Sequence, residues 1–190
     1  MADKLSHLED LARLTKENFS DGRQKLLREV TDMFMQAPED LSEKEISYFG
    51  DIMGGMVNQV ETMVRQHLSE TISSVGNAPR ELVLSLANDE LQVALPMLQN
   101  SDVLDDSDLV EIAENKSQEH LNAIAQRESV GEIVTDVLVK KGDETVLGTL
   151  ADNNGAEFSR GVMETFVERA KDNEKLELAM TQLPPQQKGK

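Results

Sequence analysis

Apolar residues recur at helical spacing in three successive stretches before residue 76. The first stretch contains Leu5, Leu8, Leu11, Ala12 and Leu14. Their spacing of three or four residues predicts a short amphipathic helix over residues 4–16. The second stretch runs from Leu26 to Phe34 and predicts a helix that stops before Pro38, because proline cannot continue a helix.

The third stretch predicts the longest helix of the chain, over about residues 42–75. Ser42 and Glu45 match a capping box, in which a hydroxyl and a carboxylate bond the first free amides. The apolar seam consists of Ile46, Phe49, Met53, Met56, Val60, Met63 and His67. It keeps its phase across Gly54 and Gly55, so we predict a continuous helix whose glycines let another helix approach closely. A kink or break at these glycines is the alternative.

A repeating pattern occupies the chain from Pro79 to about Ala170. Three apolar helix patterns each end in a polar break, in LQVALPMLQNSDVL, EHLNAIAQRESV and TVLGTLADNNGA. The step from Val103 to Val130 is 27 residues. A fixed period of this size is typical of an α-α repeat array. The predicted helices span residues 79–87, 89–99, 106–114, 117–126, 130–140, 143–152 and 157–171.

These patterns predict three regions along the chain. Residues 1–76 form an N-terminal helical unit that contains the long helix, and residues 77–172 form the repeats. Residues 173–190, which include the paired prolines of TQLPPQQKGK, are predicted to be a partly disordered tail.

The chain is strongly acidic, with 36 acidic against 19 basic residues and a formal net charge of −17. Such a polyanion repels nucleic acid and anionic lipid, so we expect neither as a partner. The charge predicts either a well-hydrated surface or an acidic face for a basic partner. There is no cysteine, which excludes disulfides and thiolate zinc sites. No signal-peptide pattern or membrane-length apolar run is present, so a cytoplasmic location is expected.

Four segments of the chain resemble a known bacterial family. They are LARLTKENFSDGRQKLLREVTDMF, LSEKE, PRELVLSLANDELQVALPML and SDLVEIAENKSQEHLNAIAQRESV. Together they are similar to an uncharacterised, mainly alphaproteobacterial domain-of-unknown-function family with HEAT-like helical repeats, from about Leu11 to Arg169. The resemblance implies an all-α fold and a bacterial cytoplasmic protein, and carries no activity. We therefore expect N-terminal helices, including one long helix, packed on a short HEAT-like α-α repeat array.

Signals for catalysis or metal binding are weak. His7, His67 and His120 lack the spacing of zinc-protease and di-iron motifs, so a histidine packed in a helix with one hydrogen bond is the favoured interpretation. The densest acidic cluster contains Asp102, Asp105, Asp106 and Asp108. It lacks the glycine and alternation of a calcium loop, so helix capping explains it better. Nucleotide-binding and serine-hydrolase motifs are also missing. We predict no catalytic, cofactor-binding or metal-ligating residues and no cofactor.

The remaining candidate is a surface on the predicted long helix. The interface residues that we predict are Phe49, Met53, Met56, Val60 and Met63. Methionine fills irregular cores and also grips varied partners, so both roles stay open. The sequence thus predicts a non-enzymatic protein–protein interaction module or adaptor, with a homodimer through the long helix as one form of it. The alternatives are an enzyme whose carboxylates meet only in the fold, and a HEAT-like nucleic-acid binder, which the net charge disfavours.

Overall fold

The protein is all-α. The structure, a computed structural model, describes residues 20–171, which form ten α-helices and no β-strand. The helices are α1 (Ser20–Phe34), α2 (Glu43–Val57), α3 (Thr62–Ile72), α4 (Arg80–Ala87), α5 (Leu91–Asn100), α6 (Asp106–Asn115), α7 (Gln118–Ala125), α8 (Glu132–Lys141), α9 (Glu144–Asp152) and α10 (Arg160–Ala170). The all-α prediction is confirmed. The helix predicted over residues 4–16 and the predicted tail over residues 173–190 lie outside the described residues.

The helices group into two compact units. Among the described residues, unit 1 consists of residues 20–97 and 101–103, and unit 2 of residues 98–100 and 104–171. The division between them falls within and just after α5. The boundary that the sequence predicts at residue 76 lies inside unit 1.

The prediction of one long helix over residues 42–75 is wrong. The chain forms two helices there, α2 and α3, with a break between them. The break lies after Asn58 and not at Gly54–Gly55. Asn58 ends α2, and the extended backbone of Glu61 begins α3. Asn77 Nδ2 donates a hydrogen bond of 2.6 Å to Pro38 O, which joins the chain just after α3 to the chain just before α2. The segment is therefore a helical hairpin.

Hydrogen bonds around the break explain why the chain turns there. Gln59 Nε2 donates to Gly55 O at 2.7 Å, which satisfies a free carbonyl at the end of α2. Arg65 Nη1 donates to Val60 O at 2.9 Å. Val60 is itself buried within the turn, so the apolar spacing runs on although the helix does not. A sequence pattern of this kind cannot distinguish one long helix from two.

The predicted capping box at the start of α2 is confirmed. Ser42 Oγ accepts from Glu45 N at 3.4 Å, and Ser42 N donates to Glu45 Oε2 at 2.9 Å. In unit 1, α1 packs against α2 and α3, and both of these pack against α4. The close approach predicted at Gly54 and Gly55 is wrong, because a Cβ added at either position would have no neighbour within 4 Å. Gly50 is the glycine of α2 that lies close to another part of the chain, since a Cβ there would lie 2.8 Å from Pro79 Cβ.

Unit 2 is a stack of helical pairs. Helix α8 packs against both α6 and α10, while α7 packs against α9. Helices that are two apart along the chain are therefore neighbours in space. Each helix of unit 2 begins and ends within three residues of its predicted bounds, which confirms those predictions. An isolated parallel bridge joins Val130 and Ala156 beside this stack.

Hydrogen bonds connect equivalent positions in successive pairs of unit 2. Lys141 Nζ donates to Glu114 O at 3.0 Å, 27 residues earlier, and Arg169 Nη2 donates to Gly142 O at 2.8 Å, also 27 residues earlier. On the other side of the stack, Thr149 Oγ1 donates to Asn122 Oδ1 at 2.6 Å. The step of 27 residues seen in the sequence is thus the spacing of these contacts.

Candidate functional site

Four of the five predicted interface residues are buried inside unit 1. Phe49, Met53, Met56 and Val60 are at most 7% exposed, whereas Met63 is 79% exposed. The prediction of an open binding face on this seam is therefore wrong for the first four residues. It fails because the hairpin folds α2 and α3 back onto α1 and α4, which cover the seam. The alternative interpretation, that the methionines fill a core, holds for Met53 and Met56.

The packing around these residues is specific. The rings of Phe34 and Phe49 lie edge to face with their centroids 5.4 Å apart, a favoured aromatic geometry. Thr31 Oγ1 donates to Leu27 O at 2.7 Å and also lies 3.7 Å from Met53 Sδ. These contacts leave Met53 no exposed surface with which to bind a partner.

A groove of about 540 Å³ lies between α1 and α3 in unit 1. Its lining residues are Leu27, Arg28, Thr31, Asp32, Met63, Val64, His67, Leu68 and Thr71. We call it the α1–α3 groove. Leu27, Val64 and Leu68 form a buried floor, whereas Met63 stands exposed at the rim. Its volume is within the range of about 300–1,000 Å³ that is usual for binding clefts.

Five of the nine residues that line the α1–α3 groove are polar: Arg28, Thr31, Asp32, His67 and Thr71. The hydroxyls of Thr31 and Thr71 donate to backbone carbonyls of their own helices, so these groups are satisfied. The charged lining residues are Arg28 and Asp32, one helical turn apart and exposed. This lining suits an apolar side-chain row with charged flanks. Sequence reasoning missed the groove, because its two walls come together only through the hairpin.

Unit 2 presents a different surface. Ile133 on α8 is 65% exposed and Val167 on α10 is 47% exposed, and these two helices pack against each other. Large apolar side chains with this exposure are the sort of contact that a partner can bury. The residues of unit 2 between 104 and 171 include 15 acids and 7 bases, which gives a formal charge of −8.

Three of those seven basic side chains bond backbone carbonyls within unit 2. Arg127 Nη1 donates to Leu98 O at 2.8 Å, and Lys141 and Arg169 donate to carbonyls of the preceding pair. Such bonds neutralise the negative ends of helices and hold the pairs in register. These bonds leave the charges of the three cations unchanged, so the negative field around unit 2 comes from its excess of acidic side chains.

The two described histidines and the acidic cluster have structural positions. His120 is buried, and its Nδ1 lies 2.9 Å from Ser117 Oγ, whereas His67 is exposed at the α1–α3 groove. Asp105 and Asp108 form a capping box at the start of α6, which confirms the capping interpretation for these two. Glu119, next to His120 in the sequence, has a lowered pKa because the Ser117 side chain and a backbone N–H donate hydrogen bonds to its carboxylate.

Over residues 20–171, no group of three or more histidine or carboxylate side chains is placed so that it could bind a metal ion. Within that range, too, every helix is shorter or more polar than a bilayer-crossing helix.

Comparison with known proteins gives one match. A family model described as "Uncharacterised protein conserved in bacteria (DUF2336)" matches residues 93–187, which is half of the chain. No curated protein and no solved structure matches. Among the described residues, the match covers all of unit 2, whereas the α1–α3 groove lies outside it.

Proposed function

The chain belongs to the bacterial DUF2336 family, and we propose that it is a non-enzymatic module that binds a basic segment of another protein on unit 2. The observation that carries the proposal is the pair of exposed apolar side chains, Ile133 and Val167, on adjacent helices of an acidic stack. Apolar anchors with a charged surround are what a protein partner of opposite charge recognises.

The packing of unit 2 supports this proposal. Stacked helical pairs of constant step, here predicted to be HEAT-like, build extended surfaces and seldom carry chemistry in the repeat itself. The family match covers this unit, which supports looking for the binding surface there. The acidic excess of unit 2 adds long-range attraction for a basic partner and accelerates its association.

A dimer through the predicted long helix would need Met53 and Met56 at the surface, and both are buried. The enzyme alternative requires paired carboxylates in a pocket, and Asp32 is the one carboxylate among the residues that line the α1–α3 groove. Unit 2 is therefore where we place the partner.

The test compares affinity capture from the native bacterium with three forms of the full chain. The first is the unaltered protein, and the second carries Ile133→Glu and Val167→Glu. The third carries Thr145→Glu and Thr165→Glu, which add the same charge at exposed positions of unit 2. We expect a bound protein that the unaltered chain and the Thr145/Thr165 variant retain and the Ile133/Val167 variant loses.

The salt dependence of that capture is the second readout. Attraction between an acidic surface and a basic partner weakens when the Debye length falls from about 10 Å at 0.1 M salt to about 3 Å at 1 M. Equal capture by all three forms, or capture that high salt leaves unchanged, would refute the proposal. Light scattering on the purified chain reports separately whether the partner is a second copy.

A further inference from the structure

Helices α6 and α8 of unit 2 are held side by side by contacts at both ends. A Cβ on Gly131, the residue before α8, would lie 2.6 Å from the Oδ2 atom of Asp106, the first residue of α6. At the other end, Lys141 Nζ donates to Glu114 O at 3.0 Å. The two helices therefore run in the same direction, and we call the surface furrow between them the α6–α8 groove.

One stripe of side chains from each helix borders the α6–α8 groove. Residues four apart lie on one face of a helix, and the end contacts place that face of each helix beside the other helix. The bordering residues are Asp106, Val110 and Glu114 on α6 and Ile133, Val137 and Lys141 on α8. The two valines are half-buried, whereas Ile133 is 65% exposed. The groove thus has an apolar centre that a partner can cover.

The α6 wall of this groove is acidic. Helix α6 contains four acidic residues and no basic residue. Asp106 and Glu114 are both exposed and lie eight residues apart, or about 12 Å along the helix. A partner that complements this wall carries Lys or Arg on either side of its apolar side chains.

The groove suits one of the common ways in which proteins bind a peptide segment. An extended segment pairs with an open sheet edge, a polyproline segment docks on exposed aromatic rings, and an amphipathic helix lies in an apolar groove. The described part of the chain has no strand, and its isolated bridge joins the buried Val130 and Ala156. The aromatic residues between positions 104 and 171, Phe158 and Phe166, are buried as well. The helical mode is therefore the one that fits.

We propose that the basic segment bound by unit 2 is an amphipathic helix that lies along the α6–α8 groove. Its apolar side chains cover Ile133 and the two valines, and its Lys or Arg side chains face Asp106 and Glu114. This inference rests on the proposed function and specifies the conformation and the residue pattern of the partner.

Two synthetic peptides of about 15 residues, each about 22 Å long as a helix, test the inference on the full chain. Both contain the same leucines, lysines and alanines. In the first peptide the leucines occupy positions i, i+4 and i+7, so that they form one helical face. In the second they are reordered to surround the helix. We expect fluorescence anisotropy to give a Kd about tenfold lower for the first peptide, because only that peptide presents a continuous apolar face.

Variants of the protein locate the bound peptide. Ile133→Gln removes the exposed apolar anchor and should raise the Kd of the first peptide about tenfold. Asp106→Asn removes one carboxylate and should raise it about threefold, since an exposed ion pair is weaker. The matched controls, Thr145→Gln and Asp152→Asn, make comparable changes at exposed positions of α9 and should leave the Kd unchanged.

Equal affinity for the two peptides, or no binding of either, would overturn the inference. Selective binding that neither Ile133→Gln nor Asp106→Asn weakens would overturn it too, because the helix would then lie elsewhere. These outcomes leave the proposed function standing if the native partner is still captured through Ile133 and Val167. Loss of the proposed function would instead appear as equal capture by the variants designed for that test.

Discussion

Units 1 and 2 show the same helical spacing of apolar residues, but this spacing predicts the bounds of the helices in unit 2 and not in unit 1. In unit 2, polar breaks and capping residues separate short apolar runs, and each run is one helix. In unit 1, one apolar seam passes through two helices and the turn between them, because Val60 in the turn is buried as well. The spacing of apolar residues therefore fixes the bounds of a helix only where stop signals accompany it.

The two units also differ in what holds neighbouring helices together. Unit 2 uses bonds from side chains to the carbonyls of the preceding pair, repeated at nearly constant step. Unit 1 concentrates its polar contacts at Arg65, which bonds Asp89, Glu90 and the carbonyl of Val60. A repeated contact is readable as a period in the sequence, whereas a single contact is not.

The largest expected effect concerns the apolar seam of unit 1, in which Met53 is buried and Met63 is exposed. Met53→Ala should lower the free energy of unfolding by about 2–5 kcal/mol, because it leaves a cavity in a buried site. Met63→Ala, from the same seam, should change it by less than about 1 kcal/mol. Urea denaturation measures both. Similar losses for the two variants would mean that the seam is buried along its whole length.

The next prediction concerns the group of polar contacts around Arg65 in unit 1. Its guanidinium lies 2.6 Å from Asp89 and both side chains are at most 17% exposed, so Arg65→Met should cost about 2–4 kcal/mol. Hydrogen bonding to Asp89 raises the pKa of Arg65. Its contribution is therefore complete below the ordinary arginine value and is lost only as pH rises through the raised pKa. The cost should be the same at pH 7 and pH 9.

The matched control for Arg65 is Lys25→Met. The Lys25–Glu29 pair is exposed, and its atoms are 3.8 Å apart. Removing it should change the free energy of unfolding by less than about 0.5 kcal/mol. A loss from Lys25→Met as large as that from Arg65→Met would contradict the role given to burial.

Gly155 tests the loop contact beside the stack of unit 2. A Cβ at this position would clash with Glu128 O, so Gly155→Ala should destabilise the protein by about 1–3 kcal/mol. Gly148, within α9, has open space around it, and Gly148→Ala should stabilise by up to about 1 kcal/mol. Thermal denaturation gives both signs, and the same sign for both would count against the close approach.

The glycines of α2 give a smaller pair of opposite effects. Gly50→Ala should destabilise unit 1 by about 1 kcal/mol, because the new methyl group meets Pro79. Gly54→Ala should stabilise it by a similar amount, since a Cβ there has no neighbour within 4 Å. Stabilisation by both substitutions would show that α2 and Pro79 do not approach closely.

The smallest effect is that of Glu119 in unit 2. Its carboxylate accepts hydrogen bonds near the start of α7 and its pKa is lowered, so the charged form is favoured in the folded state. The contribution is present above the ordinary pKa of 4.5 and is lost as pH falls through the lowered value. Glu119→Gln should therefore be slightly less stable than the unaltered chain at pH 7. The difference should vanish in acid, as urea midpoints at both pH values would show.

The sequence predicts the helices of unit 2 because its signals are local. Asp105 and Asp143 cap helices by accepting hydrogen bonds from backbone N–H groups two or three residues later, so residue type and position suffice to place a helix start. The same holds for Ser42 at the start of α2. Even Pro96, inside α5, leaves the bounds of that helix close to those predicted.

The candidate surfaces could not be predicted in the same way. The α1–α3 groove joins residues about 40 positions apart, and its existence depends on where the chain turns after Asn58. Exposure of Ile133 likewise depends on which face of α8 its neighbours cover, and a β-branched apolar residue is more often buried. Long-range packing decides both, and neither leaves a local pattern in the sequence.

The hairpin of α2 and α3 underlies both the buried seam and the α1–α3 groove, and one distance tests it. Spin labels on Glu39→Cys and Ser74→Cys flank the contact between Pro38 and Asn77, and both positions are exposed. Pulsed electron paramagnetic resonance should then give a separation below about 25 Å, since few residues lie between each label and that contact. A separation near 50 Å, the length of a continuous helix over this segment, would contradict the hairpin.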